Sequence, residues 1–335
     1  MAMDVQNTSA RLAQLRAEEQ GMGRAQVLVV AGTHGNERNA PALLERWRSE
    51  PQALHRSGLP VALVMGNPAA HQANRRYIDR DLNRCFAPDL LDNPELQPLE
   101  LQRARELLAE FAPQGSNPCA VAIDLHSTTS GMGNSLVVYG RRPADLALAA
   151  GIQARLGLPI YLHEADAAQT GFLVERWPCG LVIEVGPVAQ GLLSAPIQQQ
   201  TQLALEATLA VLAEAASGTL RLPAGLQVYR HCGSVDLPRD GRGEAIACVH
   251  PALERRDWRP LQLGQPLFWQ PGGQPCPQAW RFDPEAMGFA VEARWPVFIN
   301  EAAYGEKGIA FSLCRRERWA SEGSWLPALQ ALMAA

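Results

Sequence analysis

Only one lysine, Lys307, occurs in the chain; almost every other basic side chain is arginine. We read that bias as a matter of nucleotide composition. No CxxC pair occurs either: Cys85, Cys119, Cys179, Cys232, Cys248, Cys276 and Cys314 are scattered and odd in number. Their arrangement excludes a cysteine-based zinc knuckle and fits a reducing compartment. No apolar run approaches the roughly 18 residues of a membrane span, and the opening "MAMDVQNTSARLAQLRAEEQ" lacks the apolar centre of a signal peptide. A cytoplasmic, soluble protein without membrane contact is therefore expected. Positive charge is not in excess, because the formal net charge is −4, which argues against a broad nucleic-acid surface.

What is present is ample material for a core. Hydrophobic residues make up 47% of the 335 and charged residues 19%, as in an ordinary globule. Single cores stop growing at roughly 250 to 300 residues, so two domains are expected. From residue 27 to about 217, short apolar runs alternate with helical stretches, the pattern of a mainly parallel α/β sheet covered by helices. The strand candidates are "QVLVV" (26–30), "VALVM" (61–65), "AVAIDL" (120–125), "SLVVY" (135–139) and "LVIEV" (181–185). Residues 40–48, 98–112 and 196–216 read as helices. After "SGTLRLP" prolines and glycines multiply, and short runs such as "LQVYR" and "VFINE" suggest a smaller β-rich domain. The expected division is an extension at 1–24, a catalytic domain at 25–217 and a β-rich domain at 218–335 that closes the active site.

Three segments at predicted strand ends carry chemistry. His34 and Glu37 follow the first strand, Asp124 and His126 close another, and Glu184 lies within "LVIEVGP". Ligands of open α/β sheets sit at the carboxyl ends of strands, so these segments can converge. Two imidazoles and a carboxylate would leave a fourth tetrahedral position open, as catalytic zinc requires. Gly32 and Gly35 would let the backbone turn sharply and keep Cβ atoms away from a metal. Alone, the His-x-x-Glu pair fits a solvated turn equally well. Glu184 sits among Val182, Ile183 and Val185, where an isolated carboxylate is costly, so a partner or a strand-end exit to solvent must compensate it. "NRRYIDRDLNRCF" (74–86) fits neither helix nor strand and reads either as a solvated face or as a self-paired loop holding rigid arginine forks. His55, His71, His163, His231 and His250 lack ligand-like company and read as surface or capping residues.

Together, "GTHGNE", "RRYIDRDLNRCF", "IDLHSTTSGMGNSLVV", "IEVGPVAQG", "VDLPRDGRGEAIACVHPALERRDWRPLQLGQPLF" and "VFINEAAYGEKGIAF" resemble the succinylglutamate desuccinylase and aspartoacylase family over about residues 26 to 315. The resemblance implies a zinc-carboxypeptidase-like fold and zinc-dependent hydrolysis of a small N-acyl amino acid, N-acetyl-L-aspartate first among them. It implies one Zn2+ per chain on His34, Glu37 and His126, with Glu184 as general base and Arg76 polarising the scissile carbonyl. Asn83 and Arg84 would hold the substrate carboxylate, Tyr304 would reach the pocket from the second domain, and a homodimer is implied. Asp124 is a candidate partner for His126. Members preferring N-acetylaspartate carry a tyrosine and an arginine where this chain has Ala168 and Phe172. That departure admits two other outcomes: Arg176 substitutes, or the substrates are neutral and aromatic N-acetyl amino acids, as in the aminoacylase-3-like branch. A non-catalytic zinc or ligand binder is the reading from another class, against which Glu184 and Arg76 both speak.

Overall fold

A computed structural model describes residues 25–54, 57–164, 169–270, 272 and 276–334. The extension expected at 1–24, His55 and Ala168 lie outside the described residues.

The first strand, β1 (Val27–Ala31), is five consecutive buried apolar residues, the composition of a strand covered on both faces. It pairs in parallel with β2 (Val61–Met65) on one side and β3 (Val121–Ser127) on the other. Beyond β3 comes β6 (Cys179–Val185), also parallel, then β4 (Asn134–Tyr139), which runs antiparallel to β6. β5 (Ile160–His163) continues the sheet beside β4.

The sheet does not end there. The twelve-residue strand β7 (Gly225–Asp236) pairs in parallel with β5, followed by β11 (Ile309–Ala320) and the short β10 (Trp295–Val297). One mixed sheet of nine strands results, in the order β10-β11-β7-β5-β4-β6-β3-β1-β2. A small separate ribbon joins β8 (Cys248–Val249) to β9 (Phe268–Trp269).

Alternation along the strands sorts side chains onto two faces. Val27, Val29, Val121, Ile123, Leu181 and Ile183 enter one core with the helices α1 (Asn39–Ser49), α4 (Pro143–Leu156) and α5 (Ala195–Ala216). The last helix, α7 (Trp325–Met333), packs into that same layer through Trp325, Leu329 and Met333. Leu28, Val30, Ala122 and Val182 face the opposite core, built on α3 (Leu99–Phe111) and the loop around Phe86. Asp124, His126 and Glu184 share the parity of Ala122 and Val182, so the polar residues of β3 and β6 belong to this second face. At those positions apolar packing gives way to the site.

Expected and observed elements agree within two residues for all five predicted strands and three predicted helices. "VFINE" differs. Only Val297 lies in a strand, and Phe298 and Asn300 adopt positive φ of 54° and 53°, turning the chain into the short helix α6 (Ala302–Gly305).

Candidate active site

β1 ends at Ala31, and the chain turns at Gly32, whose φ of +71° favours glycine. Gly35 has a different task from the expected one. A Cβ there would lie 2.1 Å from the backbone of Ala70, so it makes room for helix α2 (Pro68–Ala73) and not for a metal. The turn brings His34 and Glu37 against the end of β3. In register, His126 on β3 is the neighbour of Glu184 on β6, which sets both side chains on one face.

The three candidate ligands converge. His34 Nδ1 lies 2.7 Å from one Glu37 oxygen, and His126 Nδ1 lies 3.2 Å from the other. Among the described residues they form a group whose ligand atoms all lie within 4.8 Å of one another, able to hold a metal ion. Each imidazole is steered from behind by a second carboxylate. Asp124 Oδ2 accepts from His126 Nε2 at 2.8 Å, while Thr33 Oγ1 donates to Asp124 Oδ1 at 2.7 Å. His34 Nε2 lies 3.0 Å from Asp81 Oδ1. Such backing orients a metal-binding histidine and leaves its other nitrogen toward the ion, so this donor set fits zinc.

Charge balance in the cluster is tight. Burial alone would raise the Glu37 carboxyl, but the imidazoles of His34 and His126 hold it well below the usual carboxylate range. Burial would likewise lower His126, yet Asp124 and Glu37 push it well above the ordinary value. Arg76 is partly buried, between Asp81 (3.2 Å) and Glu37 (3.6 Å).

Glu184 stands apart. Burial drives its carboxyl well above the ordinary value; His126 and Arg76 oppose this, and Glu37 and Glu301 reinforce it. Asp81, Asp124, Glu37 and Glu301 all accept hydrogen bonds from the protein, whereas the Glu184 carboxyl has none from the described residues. Of the carboxyls lining the pocket it is the one without a hydrogen-bond donor among the described residues.

Asn83 and Arg84 sit on a turn capped by Asp81, which accepts from Asn83 N at 2.9 Å. Asn83 Oδ1 accepts from Leu173 N, tying this turn to the segment before β6. Arg84 has no ion pair among the described residues. Its nitrogens donate to Asn83 O and Gln169 Oε1, and its Cζ lies 4.1 Å over the Phe172 ring, which stacks on Tyr139 at 3.8 Å. Tyr304, on α6, donates or accepts at 3.1 Å with Ser312, and burial pushes its hydroxyl up to about 12. His34, Glu37, Arg76, Asn83, Arg84, His126, Phe172, Glu184 and Tyr304 thus line one cavity. Arg176 does not line it; its side chain is exposed, because the single helical turn Leu173–Arg176 points Leu173 and Val174 inward instead.

Sequence reading missed several residues that hold this site. Glu100, fully buried on α3, accepts from Ile78 N (2.6 Å), Asp79 N (3.1 Å), Arg80 N (3.0 Å) and Asn67, and so fixes the backbone of the arginine-rich loop. Glu301 accepts from the hydroxyls of Thr128 and Thr129 and from Thr129 N and Ser130 N, clamping the loop after His126. His163 and His231, expected as surface or capping residues, are buried with their rings tilted 5.0 Å apart, and Tyr161 is bonded to His231 at 2.8 Å. A signal for them existed: His163 ends the apolar run "IYL", and His231 directly follows the alternating "LQVYR". His250 accepts from Ala252 N, in keeping with a capping residue.

Comparison with known proteins gives a consistent result. Residues 24–212 match the succinylglutamate desuccinylase/aspartoacylase catalytic domain, and residues 224–316 match the AstE/AspA barrel-sandwich hybrid domain. A probable aspartoacylase of Parasynechococcus marenigrum (strain WH8102) is 60% identical, covering 93% of this chain and all of the relative. One from Synechococcus sp. (strain CC9605) is 57% identical, covering 94% of this chain and all of the relative. The crystal structure of murine aminoacylase 3 is 33% identical with a TM-score of 0.76, covering 89% of this chain and 97% of that one. The succinylglutamate desuccinylase of Chromobacterium violaceum, 19% identical at a TM-score of 0.57 over 89% of this chain and 86% of that one, shares the fold. With a family model matched over more than half its length and relatives aligned almost end to end, the chain belongs to the succinylglutamate desuccinylase/aspartoacylase family of amidohydrolases.

Proposed function

We propose that the protein is a zinc-dependent amidohydrolase that cleaves the amide bond of N-acyl amino acids, with N-acetyl-L-aspartate as first candidate, giving acetate and L-aspartate. The observation that carries this reading is the convergence of His34, Glu37 and His126 beside Glu184, a buried carboxyl with no hydrogen bond from the described residues. Zinc in that set supplies Lewis acidity and lowers the pKa of a water toward about 7. Glu184 takes the proton of the attacking water and returns it to the leaving amine. Its raised proton affinity suits both transfers. Arg76, locked by Asp81 and Glu37, donates to the oxygen on which negative charge develops, without reorganising. Arg84, without an acidic partner among the described residues and placed over the Phe172 ring, binds the substrate carboxylate beside Asn83. Tyr304 limits the space for the rest of the molecule.

Phe172 favours a second reading at the level of substrate. Its ring lies inside the cavity with Tyr139, Tyr161 and Phe298, walls that suit the neutral and aromatic side chains of N-acetylmethionine or N-acetyltyrosine. The deciding experiment compares kcat/KM of zinc-loaded protein for N-acetylaspartate, N-acetyltyrosine and N-acetylmethionine, beside a chelated control. Turnover that survives chelation refutes zinc dependence. No turnover of any N-acyl amino acid by the zinc-loaded protein refutes the amidohydrolase reading in favour of a binding protein.

A further inference from the structure

If the substrate is a dicarboxylate, its second carboxylate needs a cation, and neither Phe172 nor the exposed Arg176 supplies one. The cavity offers Arg84, already assigned to the first carboxylate, and Arg76, engaged by Asp81 and Glu37. A third cation lines the adjoining cavity. Lys307, the only lysine of the chain, follows the turn that carries Tyr304, its backbone N–H donating to Tyr304 O at 2.9 Å. It lines a second, larger cavity, which shares Gln169 with the catalytic cavity. Gln169 Oε1 in turn accepts from Arg84. The other cations of this outer cavity are engaged. Arg230 lies 3.6 Å from Glu164 and 2.9 Å from Glu317, and Arg315 lies 2.9 Å from Glu317. Lys307 has no ion pair among the described residues.

We infer that Lys307 and Arg84 form a two-cation subsite across the mouth of the pocket, in which Lys307 binds the side-chain carboxylate of an N-acyl dicarboxylic amino acid. The subsite rests on the dicarboxylate reading above and explains how such a substrate is held without an arginine at position 172. Its electrostatics agree. Lys307 is exposed, yet partial desolvation and the positive charges of Arg84 and Arg76 pull its ammonium below the ordinary pKa, with Asp81 and Glu306 opposing. A dianionic ligand relieves that repulsion, whereas a monoanionic ligand neutralises Arg84 alone. Lys307 is therefore a specificity residue that acts on binding, remote from proton transfer at Glu184.

The test measures kcat and KM of the zinc-loaded wild type, K307M and K307R for N-acetylaspartate and N-acetylmethionine. Loss of a charged hydrogen bond is worth roughly tenfold or more. K307M should lower the N-acetylaspartate to N-acetylmethionine ratio of kcat/KM by about that factor, through KM, and K307R should restore most of it. Two outcomes overturn the inference and are distinguishable. A wild type that prefers N-acetylaspartate, with K307M keeping the same ratio, removes Lys307 from the subsite and leaves the dicarboxylate reading standing. A wild type that prefers N-acetylmethionine removes both.

Discussion

Asp124→Asn tests the metal centre with little change in shape. Asp124 is wholly buried, and its two oxygens are both used, one by Thr33 Oγ1 at 2.7 Å and one by His126 Nε2 at 2.8 Å. An asparagine side chain has one oxygen and one NH2, so the two contacts cannot both persist unchanged. With the oxygen toward His126, the imidazole keeps a hydrogen bond but loses an anionic acceptor, and charge-assisted bonds are roughly twice as strong as neutral ones. With the NH2 toward His126, Nε2 must accept, and the proton moves to Nδ1, the atom that faces Glu37 and would bind zinc. Either arrangement weakens the ligand. Loss of such a partner costs about 10- to 100-fold in metal affinity, which is roughly 1.4 to 2.8 kcal/mol. The assay is competition for zinc between apo-protein and a chromophoric chelator, with kcat measured again at saturating zinc. Wild-type zinc affinity in D124N would refute the assignment of His126 as a ligand steered by Asp124.

Three further substitutions probe other parts of the site and its support. Glu184→Gln should keep wild-type zinc affinity in the same competition and lower kcat by about 10²- to 10⁴-fold; normal turnover would remove Glu184 as the base. Arg84→Ala should raise KM at least about tenfold for every N-acyl amino acid, because it deletes the cavity guanidinium that has no acidic partner among the described residues; an unchanged KM would show that the carboxylate lies elsewhere. Asp257 gives a pH-dependent stability. Burial pushes its carboxyl up from 3.8 to about 6, although Ile299 N donates to it at 3.0 Å. A raised folded-state pKa means that the native protein holds this proton more tightly, so the contribution is complete below about pH 4 and lost as pH rises through 6. The loss is about 3 kcal/mol at 1.36 kcal/mol per unit. Asp257→Asn should therefore gain up to that amount relative to wild type between pH 4 and 7 in urea unfolding of the apo-protein, and a constant difference across that range would contradict the burial argument.

The sequence revealed most about residues that are unusual where they stand. A carboxylate inside "LVIEV", and histidines directly after apolar runs, conflict with the local pattern and so mark a site before any coordinates exist. Glu100 and Glu301 create no such conflict. Glu100 occupies the first turn of an amphipathic helix, where acids are common, and Glu301 precedes another short helix; only tertiary packing buries them against the backbone donors that they satisfy. Helix α4 escaped notice for the opposite reason. Nine of its fourteen residues, Ala144 to Ile152, are buried without a polar stripe, so it lacks the periodic signal of a surface helix. The strand β7 reads in part, through "LQVYR", as an alternating run in a segment rich in proline and glycine, but nothing local says that it pairs with β5. That pairing is a long-range register choice.

The pairing has a functional consequence. Metal candidates, base and arginines all come from the first 184 residues, yet Phe298, Glu301, Ala303 and Tyr304 wall the same cavity from the far end of the chain. If those two parts met only through a flexible hinge, His126 and Tyr304 could drift apart by more than a hydrogen bond's tolerance. They do not meet that way: β5, β7 and β11 are consecutive strands of one sheet, and Glu301 gathers donors from Thr128, Thr129 and Ser130, within four residues of His126. A carboxylate with that many donors resists displacement, since moving it leaves several buried polar groups unpaired at about 1 to 3 kcal/mol each. On the proposed reading, the part of the cavity wall that comes from the far end of the chain is thus held rigidly to the residues assigned to the chemistry.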